Sequence, residues 1–403
     1  MLLAAASAWG AAGWRGDGTG QFPDASPPGE WSTDDGTNIL WQTQVGAGQS
    51  CPVVAGDKVF VTAEEDLLFC LDRRNGKVLW KKNNGYAALP PEIEAPAKKP
   101  PTAVGCGYGT ASPVTDGNCV YVSYGTGVVA CYGLDGTRRW VRCITLPLVN
   151  QYGRSASPVL VDGTLIVSIG GLVALEAGTG KTLWRNTQAK PAYGTPFVTR
   201  IADVPVLLTP NGDAVRVSDG RILASKLAAS VYSSPVVHQG VAYYVGPPAA
   251  AVRLPAKLDE PVRFEKLWQN DEVEGEFFAS PLYDDGLLYC LGNQGVLYVL
   301  DAKTGKAAVK KELDIRSAGG KPGAEPANLY ASPTRVGRCI LIANDVGESL
   351  LLSPGRECKE VARNFLQKGS GASPLPNGKM LLLRGGKKLY AVAATRPATG
   401  QAR

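Results

Sequence analysis

Short β-type runs repeat along this chain, and each begins with a small residue followed by proline. The runs are rich in Val, Ile, Leu and Tyr, and turns containing Gly and Asp separate them. The opening dipeptide occurs eight times, at Cys51-Pro52, Ser112-Pro113, Ser157-Pro158, Thr195-Pro196, Ser234-Pro235, Ser280-Pro281, Ser332-Pro333 and Ser373-Pro374. Successive prolines lie 38 to 61 residues apart, about the length of one propeller blade. The pattern predicts an all-β fold, an eight-bladed β-propeller of four-stranded antiparallel blades.

The third unit shows how one blade is built. It begins at Ser157, and its apolar runs are separated by turn signals at Asp162-Gly163, Gly170-Gly171 and residues 177–180. Proline suits the start of a strand because it donates no ladder hydrogen bond, and Asp-Gly between two β-rich runs is typical of a hairpin. Three turns between four runs predict four antiparallel strands, the last of which ends at Trp184.

The final turn of a unit carries a spaced signature: a small residue, an acid or its substitute, glycine and tryptophan. It matches without a gap at Cys70, Asp72, Gly76 and Trp80; at Ala130, Tyr132, Gly136 and Trp140; and at Ala174, Glu176, Gly180 and Trp184. Glycine permits a turn with positive φ, and an indole fills the space between blades while its N–H reaches a carbonyl. We therefore expect Trp80, Trp140, Trp184 and also Trp268 to dock neighbouring blades, with Gly76, Gly136 and Gly180 in the turns.

Three units depart from this signature. Units four and six keep the turn but hold Ala224 and Val309 at the tryptophan position, and unit seven is looser around Gly355. The corresponding blade interfaces are predicted to be less regular.

The eighth unit ends without a final strand. The missing strand is present at the other end of the chain, where residues 38–45 precede the first unit and place Trp41 at the docking position. This N-terminal strand is predicted to complete the last blade, which removes the exposed sheet edges at the ring seam.

Together, the Ser-Pro opening and the Ala-x-Asp-x-x-x-Gly-x-x-x-Trp turn resemble the pyrroloquinoline quinone (PQQ) repeat, the tryptophan-docking motif of quinoprotein propellers. The resemblance spans about residues 38–392. The start at residues 14–20, followed by residues 38–41, resembles exported PQQ-like repeat proteins of planctomycete-type bacteria. The repeat pattern of the chain is similar to that of BamB-type outer-membrane assembly scaffolds, which are eight-bladed propellers without a cofactor.

This resemblance implies one of two functions, a quinoprotein dehydrogenase or a binding platform. A quinoprotein dehydrogenase holds PQQ and Ca²⁺ at the axis, uses an Asp as base and usually carries an adjacent Cys-Cys pair. This chain has no such pair and no acid-rich axial group that could be assigned to Ca²⁺. No catalytic residue and no metal ligand are therefore predicted, and no cofactor is expected, with PQQ and calcium as the alternative.

The strand openings should face the axis, and four carry an aromatic residue three places before the proline: Tyr193, Tyr232, Phe278 and Tyr330. Tyr108, Tyr152 and Arg154 lie near other openings. These side chains either pack the narrow inner ends of the blades or form an axial collar that grips a ligand or a partner's peptide. The candidate axial binding residues are Tyr108, Arg154, Tyr193, Tyr232, Phe278 and Tyr330.

Two connections are unusually long. Residues 84–105 include a proline-rich segment that should protrude as a stiff loop, and residues 316–327 enlarge the connection between units six and seven. They are either tolerated surface insertions or places where an envelope protein or peptide binds.

Composition narrows the function classes. The net charge of +6 over 403 residues is mild and forms no long basic run, which does not favour nucleic-acid binding. No later segment approaches the roughly 20 apolar residues of a membrane span. The nine cysteines form no CxxC pair, so they are either buried small hydrophobes or, in one or two cases, disulfide partners. The single His238 lies at a hairpin position, which argues against a His-based catalytic site.

The N-terminus is apolar and rich in small residues, which predicts a partial export signal over residues 1–13 and one propeller domain over residues 14–403. We therefore expect an exported, monomeric protein of the periplasm or cell envelope that acts as a non-catalytic scaffold or binding protein. The alternatives are a PQQ-dependent alcohol or sugar dehydrogenase and a ligand-sensing propeller.

Overall fold

Eight antiparallel sheets of four blade strands each form a ring. The structure, a computed structural model, describes residues 12–101, 107–145, 147, 152–189, 193–230, 232–315 and 326–395. Two N-terminal strands, β1 (Gln21–Phe22) and β2 (Ile39–Gln44), precede the first blade. The predicted eight-bladed, all-β propeller is confirmed.

Blades 1 to 4 follow one another in chain order. Blade 1 consists of β3 (Val53–Ala55), β4 (Lys58–Ala63), β5 (Leu67–Asp72) and β6 (Val78–Asn83), and a 3₁₀ turn at Tyr86–Ala88 follows it. Blade 2 consists of β7 (Val114–Thr115), β8 (Cys119–Ser123), β9 (Val128–Gly133) and β10 (Arg138–Cys143). Blade 3 consists of β11 (Val159–Val161), β12 (Thr164–Ser168), β13 (Leu172–Glu176) and β14 (Thr182–Asn186). Blade 4 consists of β15 (Phe197–Ile201), β16 (Val204–Leu208), β17 (Ala214–Arg216) and β18 (Ile222–Ala224).

Blades 5 to 8 complete the ring. Blade 5 consists of β19 (Val236–His238), β20 (Val241–Tyr244), β21 (Ala249–Arg253) and β22 (Glu265–Asn270). Blade 6 consists of β23 (Leu282–Asp284), β24 (Leu287–Leu291), β25 (Val296–Asp301) and β26 (Ala307–Glu312). Blade 7 consists of β27 (Thr334–Val336), β28 (Cys339–Ala343), β29 (Glu348–Leu352) and β30 (Glu360–Phe365). The last three strands are β31 (Leu375–Asn377), β32 (Met380–Gly385) and β33 (Lys388–Val392).

The ring closes between the two ends of the chain. Strand β2 pairs antiparallel with β33 and so supplies the outer strand of blade 8, which confirms the predicted closure. The buried Arg384 of β32 adds a second link, because its guanidinium donates to carbonyls of Gly46, Ala47, Ser50 and Thr62 at 2.7–3.2 Å. Burial lowers the pKa of Arg384 to about 10.

Five blade interfaces contain a docked tryptophan. In each, the indole N–H donates to a carbonyl in the last turn of the next blade: Trp41 to Arg73, Trp80 to Leu134, Trp140 to Ala177, Trp184 to Val217 and Trp268 to Ala302, at 2.7–3.1 Å. The turn glycine lies against the ring. At Gly180, where φ is +68°, a Cβ would come within 2.6 Å of Trp140, so only glycine fits there without displacement.

The other three interfaces are filled differently. Between blades 4 and 5, Leu258 and Phe264 from an extended turn pack against the core around Ala224. Between blades 6 and 7, Cys358 packs in the core beside Val309. Between blades 7 and 8, Trp31 of the N-terminal segment packs in the cluster that includes Ala362. The prediction that these three interfaces are less regular is confirmed. At each of them, different side chains take the place of the docked tryptophan.

The N-terminal segment, residues 12–31, passes beneath the ring before it reaches β2. Ala12 exchanges two backbone hydrogen bonds of 2.8 Å with Thr115 of blade 2. Strand β1 then pairs parallel with β27 of blade 7, and the backbone N–H of Ser26 donates to Gly378 of blade 8. Residues 1–11 lie outside the described part of the chain. The segment therefore ties opposite sides of the ring together.

Eight of the nine cysteines lie in the described residues, and none of these eight forms a disulfide there. Cys51, Cys70, Cys131, Cys290 and Cys358 are buried, as expected of small apolar side chains. Cys106 lies outside the described residues. Within those residues, no helix reaches the length and apolarity needed to cross a bilayer.

Candidate functional site

The small residues that open the strands surround the axis, and hydrogen bonds join six of the eight neighbouring pairs. The backbone N–H of one opening residue donates to the hydroxyl of the next blade's opening residue: Cys51 to Ser112, Ser112 to Ser157, Ser157 to Thr195, Ser234 to Ser280, Ser280 to Ser332 and Ser332 to Ser373, at 2.8–3.0 Å. A small hydroxyl side chain is required because it reaches the neighbouring amide without filling the axis. The repeated Ser-Pro thus links blades at the centre, while tryptophan links them outside.

The hydroxyl ring surrounds an axial cavity of about 130 Å³. We call this cavity the axial well. Its wall consists of the opening residues of all eight blades, and Trp14 of the N-terminal segment contributes to its lining from below. The next residue, Arg15, is buried and donates to the carbonyls of Pro281 and Pro333 at 3.1 and 2.8 Å. The N-terminal segment therefore forms the floor of the well.

Burial lowers the pKa of Arg15 to about 10, and the nearby Asp17 carboxylate opposes that shift. Arg15 is 2% exposed, and its two carbonyl acceptors belong to blades 6 and 7. The guanidinium therefore serves to fix the floor to the wall, and its hydrogen bonds offset part of the desolvation of the charge.

Aromatic side chains form an arc at the mouth of the well. Tyr152, Tyr193, Tyr232, Phe278 and Tyr330 follow one another around blades 3 to 7, with neighbouring ring centroids 5.1–5.7 Å apart. Tyr193 and Tyr232 are stacked at 15°, and Tyr232 meets Phe278 edge to face. Such offset contacts stabilise aromatic pairs beyond their buried area. We call these five residues the aromatic arc.

The structure brings together four of the six predicted axial residues, namely Tyr193, Tyr232, Phe278 and Tyr330, and all four line the well. Tyr108 and Arg154 do not line it. The Lys99 ammonium lies 4.8 Å from the centre of the Tyr108 ring, and Arg154 donates to the carbonyl of Gly125. Both side chains fasten connections near blade 2. Nearby residues hold both side chains away from the axis, and the distance of a residue from the opening proline does not predict such contacts.

Trp14 and Arg15 were not among the predicted site residues. A signal was available, because Trp14 and Trp31 lie outside the repeat signature and a tryptophan without a docking position needs another place to pack. Nothing in the local sequence indicates that Arg15 is buried, since its partners lie more than 260 residues away.

The long connection after blade 1 does not protrude along its whole length. Tyr86, Leu89 and Ile93 are partly buried against the core of blade 2, and the Tyr86 hydroxyl donates to the carbonyl of Thr126. Lys99 pairs with the buried carboxylate of Asp66 at 2.8 Å. The prediction of a protruding stiff loop is thus wrong for residues 86–93, because apolar side chains between the prolines bury themselves. Residues 102–105 and 316–325 lie outside the described part.

His238 lies away from the axial well, at the end of β19. Its ring stacks on Tyr283 at a centroid distance of 3.8 Å, and burial lowers its pKa. The side chain therefore packs between blades 5 and 6.

The donor set of the well does not fit a calcium-bound quinone cofactor. The lining side chains are Ser, Thr, Tyr, Phe, Trp, Gln and Cys, and no carboxylate is among them. Ca²⁺ takes six to eight oxygen ligands, with carboxylates prominent among them. In the described ranges no group of three His, Cys, Asp or Glu side chains is placed to hold a metal.

Comparisons with known proteins agree on one family. Residues 31–254, more than half of the chain, match the family of the outer membrane protein assembly factor BamB. A protein of that name from Shewanella oneidensis is 24% identical over 292 residues, which cover 68% of this chain and just under two thirds (66%) of the relative.

Among solved structures, BamB from Moraxella catarrhalis has a TM-score of 0.61 at 13% identity and covers 90% of this chain and 99% of its own. The quinohemoprotein alcohol dehydrogenase ADHIIG from Pseudomonas putida has a TM-score of 0.60 at 12% identity, covering 94% of this chain and 80% of its own. At these identities both structures show the shared fold alone.

Proposed function

Because the chain belongs to the BamB family, we propose that it is a non-catalytic scaffold of the cell envelope that takes part in outer membrane protein assembly by holding a partner protein. The relatives named for this role support the proposal. The scaffold is a monomer, exported through a leader at the N-terminus, and residues 14–403 form one domain.

The observation that carries this proposal is the unequal construction of the two faces. The lower face, which contains the turns between the first and second strands and between the third and fourth strands of each blade, is crossed by the N-terminal segment. The upper face carries the connections between blades, including residues 84–101 and the aromatic arc, where Tyr152 is 42% exposed. An exposed aromatic residue beside a rigid frame is a typical anchor in protein interfaces. The partner, an envelope protein or a peptide segment of one, therefore binds the upper face.

Site-specific photocrosslinking tests which face binds. A benzoylphenylalanine residue replaces Tyr152 on the upper face or, as matched control, the exposed Lys303 in a lower-face turn of blade 6. The protein is expressed in a strain that lacks its own BamB, and outer membrane protein levels are measured in parallel. We expect restored levels and a discrete crosslinked envelope protein from position 152 only. Crosslinks from position 303 alone, or no restoration, would contradict the proposal.

The alternative function, PQQ-dependent oxidation of an alcohol or sugar, makes a different prediction. The proposed scaffold takes no PQQ and no calcium, in keeping with the neutral, carboxylate-free lining of the well. Purified protein is incubated with PQQ and Ca²⁺, and its absorption spectrum and dye-linked oxidation are recorded. Stoichiometric retention of PQQ with turnover would replace the scaffold by the dehydrogenase.

A further inference from the structure

The axial well contains hydroxyl groups that donate to no acceptor among the described residues. Ser157, Thr195, Ser280 and Ser332 accept a backbone N–H through oxygen, and the described residues offer no acceptor for their own O–H. Ser234 Oγ is buried without any hydrogen-bond partner. All five side chains are nine-tenths or more buried and line the well. A buried polar group without a partner is costly unless something else satisfies it.

These five hydroxyls lie on the same side of the ring as the aromatic arc. They open blades 3 to 7, and the arc spans the same blades. On the other side, the hydroxyls of Ser112 and Ser373 lie at the Cys51 sulfur. The well therefore presents hydrogen-bond donors at its wall and aromatic surfaces at its mouth, both on one side.

The charge of the lining selects against ionic ligands. The side chains that line the well are neutral, and the nearby Arg15 guanidinium donates to two carbonyls. Its buried Nε has no hydrogen-bond partner among the described residues. An anion in the well would lose its hydration without an ionised side chain on the lining to contact, which is unfavourable. A neutral polyhydroxy compound suits such a site, because its oxygens can accept from the O–H donors and its C–H faces can pack on the aromatic rings.

The size of the well agrees with this chemistry. Its volume is about 130 Å³, and an engineered protein cavity of about 150 Å³ is known to take one benzene ring. The volume is therefore on the order of one six-membered ring, whose substituents would extend through the mouth toward the upper face. We infer that the axial well binds a single pyranose ring of a neutral carbohydrate, with the aromatic arc against its C–H faces and the Ser-Thr wall donating to its oxygens.

Calorimetric titration with named sugars tests the inference on the full chain. The probes are methyl β-D-glucopyranoside, N-acetylglucosamine and maltotriose, with inorganic phosphate and PQQ as charged comparisons. We expect saturable binding of at least one sugar with a dissociation constant in the millimolar range or tighter, and none of phosphate or PQQ. Tighter binding of the trisaccharide would identify a glycan chain end as the ligand, whereas equal binding of the monosaccharides would identify free sugars.

Two variants locate the site. Ser234→Ala removes a hydroxyl that has no protein partner, so the fold is retained, and we expect about three- to tenfold weaker binding. Tyr232→Leu removes the central ring of the arc and should weaken binding about tenfold. Ser168→Ala, a hydroxyl outside the well, is the matched control and should leave the affinity unchanged.

Three outcomes would overturn the inference: no saturation with any sugar, binding of the charged probes alone, or sugar binding that neither Ser234→Ala nor Tyr232→Leu weakens. Circular dichroism of each variant establishes that the propeller is folded. The test is independent of the scaffold function, because it requires no partner protein.

Discussion

Five blade interfaces of this propeller use the same docked tryptophan, and three use a different solution each time. In the repeated interfaces the indole fills the gap and donates to a carbonyl of the next blade. In the others, a longer turn, a cysteine or the N-terminal Trp31 fills the same gap. The comparison teaches that the ring requires the volume to be filled at every interface, while the indole hydrogen bond is dispensable.

The interface between blades 7 and 8 differs from the docked-tryptophan interfaces in the distance along the chain between its contacting residues. A docked tryptophan contacts a turn about 32 to 54 residues away. Trp31 instead packs beside Asn364, whose amide oxygen accepts from the Trp31 backbone N–H over a separation of 333 residues. A docked tryptophan therefore contacts a turn that is near in sequence, whereas Trp31 reaches blade 7 from a segment more than 300 residues away.

The largest effect should come from removing residues 12–45, which supply Trp31, Trp41 and the outer strand of blade 8. Strand β33 would lose its outer partner but keep β32, and two blade interfaces would lose the tryptophan that fills them. We expect no cooperative thermal transition by circular dichroism, and partial recovery when a peptide of residues 12–45 is added. An unchanged melting temperature would show that ring closure is not needed for stability.

Trp140→Ala should lower the free energy of unfolding more than Phe264→Ala, although both residues fill a blade interface. Trp140 is 7% exposed, so we expect a loss of about 3–5 kcal/mol in the free energy of unfolding. Phe264→Ala, at the interface of blades 4 and 5, removes a half-buried ring and should cost about 1–2 kcal/mol. Urea unfolding measures both values. Equal decreases in the free energy of unfolding would show that the two kinds of interface contribute equally to stability.

A matched pair of glycines separates backbone strain from contact with the indole. Gly180 and Gly163 have φ of +68° and +71°, but only at Gly180 would a Cβ collide with Trp140. We expect Gly163→Ala to cost about 1 kcal/mol through its left-handed backbone, and Gly180→Ala to cost about 2 kcal/mol more. If chemical denaturation gives the same loss for both, the close approach of turn and indole is unimportant.

The smallest effect should come from Tyr289→Phe at the interface of blades 6 and 7. The Tyr289 hydroxyl accepts from the backbone N–H of Gly355 at 2.7 Å, a polar link at an interface without tryptophan. Its removal should cost about 1 kcal/mol. Tyr298→Phe in the same blade, whose hydroxyl has no such bond among the described residues, is the control. A similar change in both variants would indicate that the Tyr289 bond contributes nothing.

Sequence was sufficient for the parts of the molecule that repeat. The eight openings of a small residue followed by proline predicted the blades, and the missing strand after Leu389 together with Trp41 predicted how the ring closes. The aromatic residues three places before proline predicted four side chains of the arc. In each case the same local geometry recurs, so spacing alone carries the information.

The remaining features could not be predicted because they depend on contacts between distant, unrepeated segments. Arg15 reaches blades 6 and 7 from the other end of the chain, and Phe264 fills a gap left by Ala224 in another blade. Tyr108 and Arg154 were assigned to the axis from their position near strand openings, yet local partners hold them aside. Periodicity does not report on such single contacts.

The pairing of β2 with β33 also sets an order of events during synthesis. Residues 39–44 are synthesised before all seven intervening blades, and their partners at residues 388–392 follow those blades. While the seven blades are made, strand β2 therefore has no native partner, and blade 1 has an open neighbour. A chain that holds an unpaired strand edge for so long is exposed to mispairing. Its folding depends on keeping that edge protected until the final blade arrives.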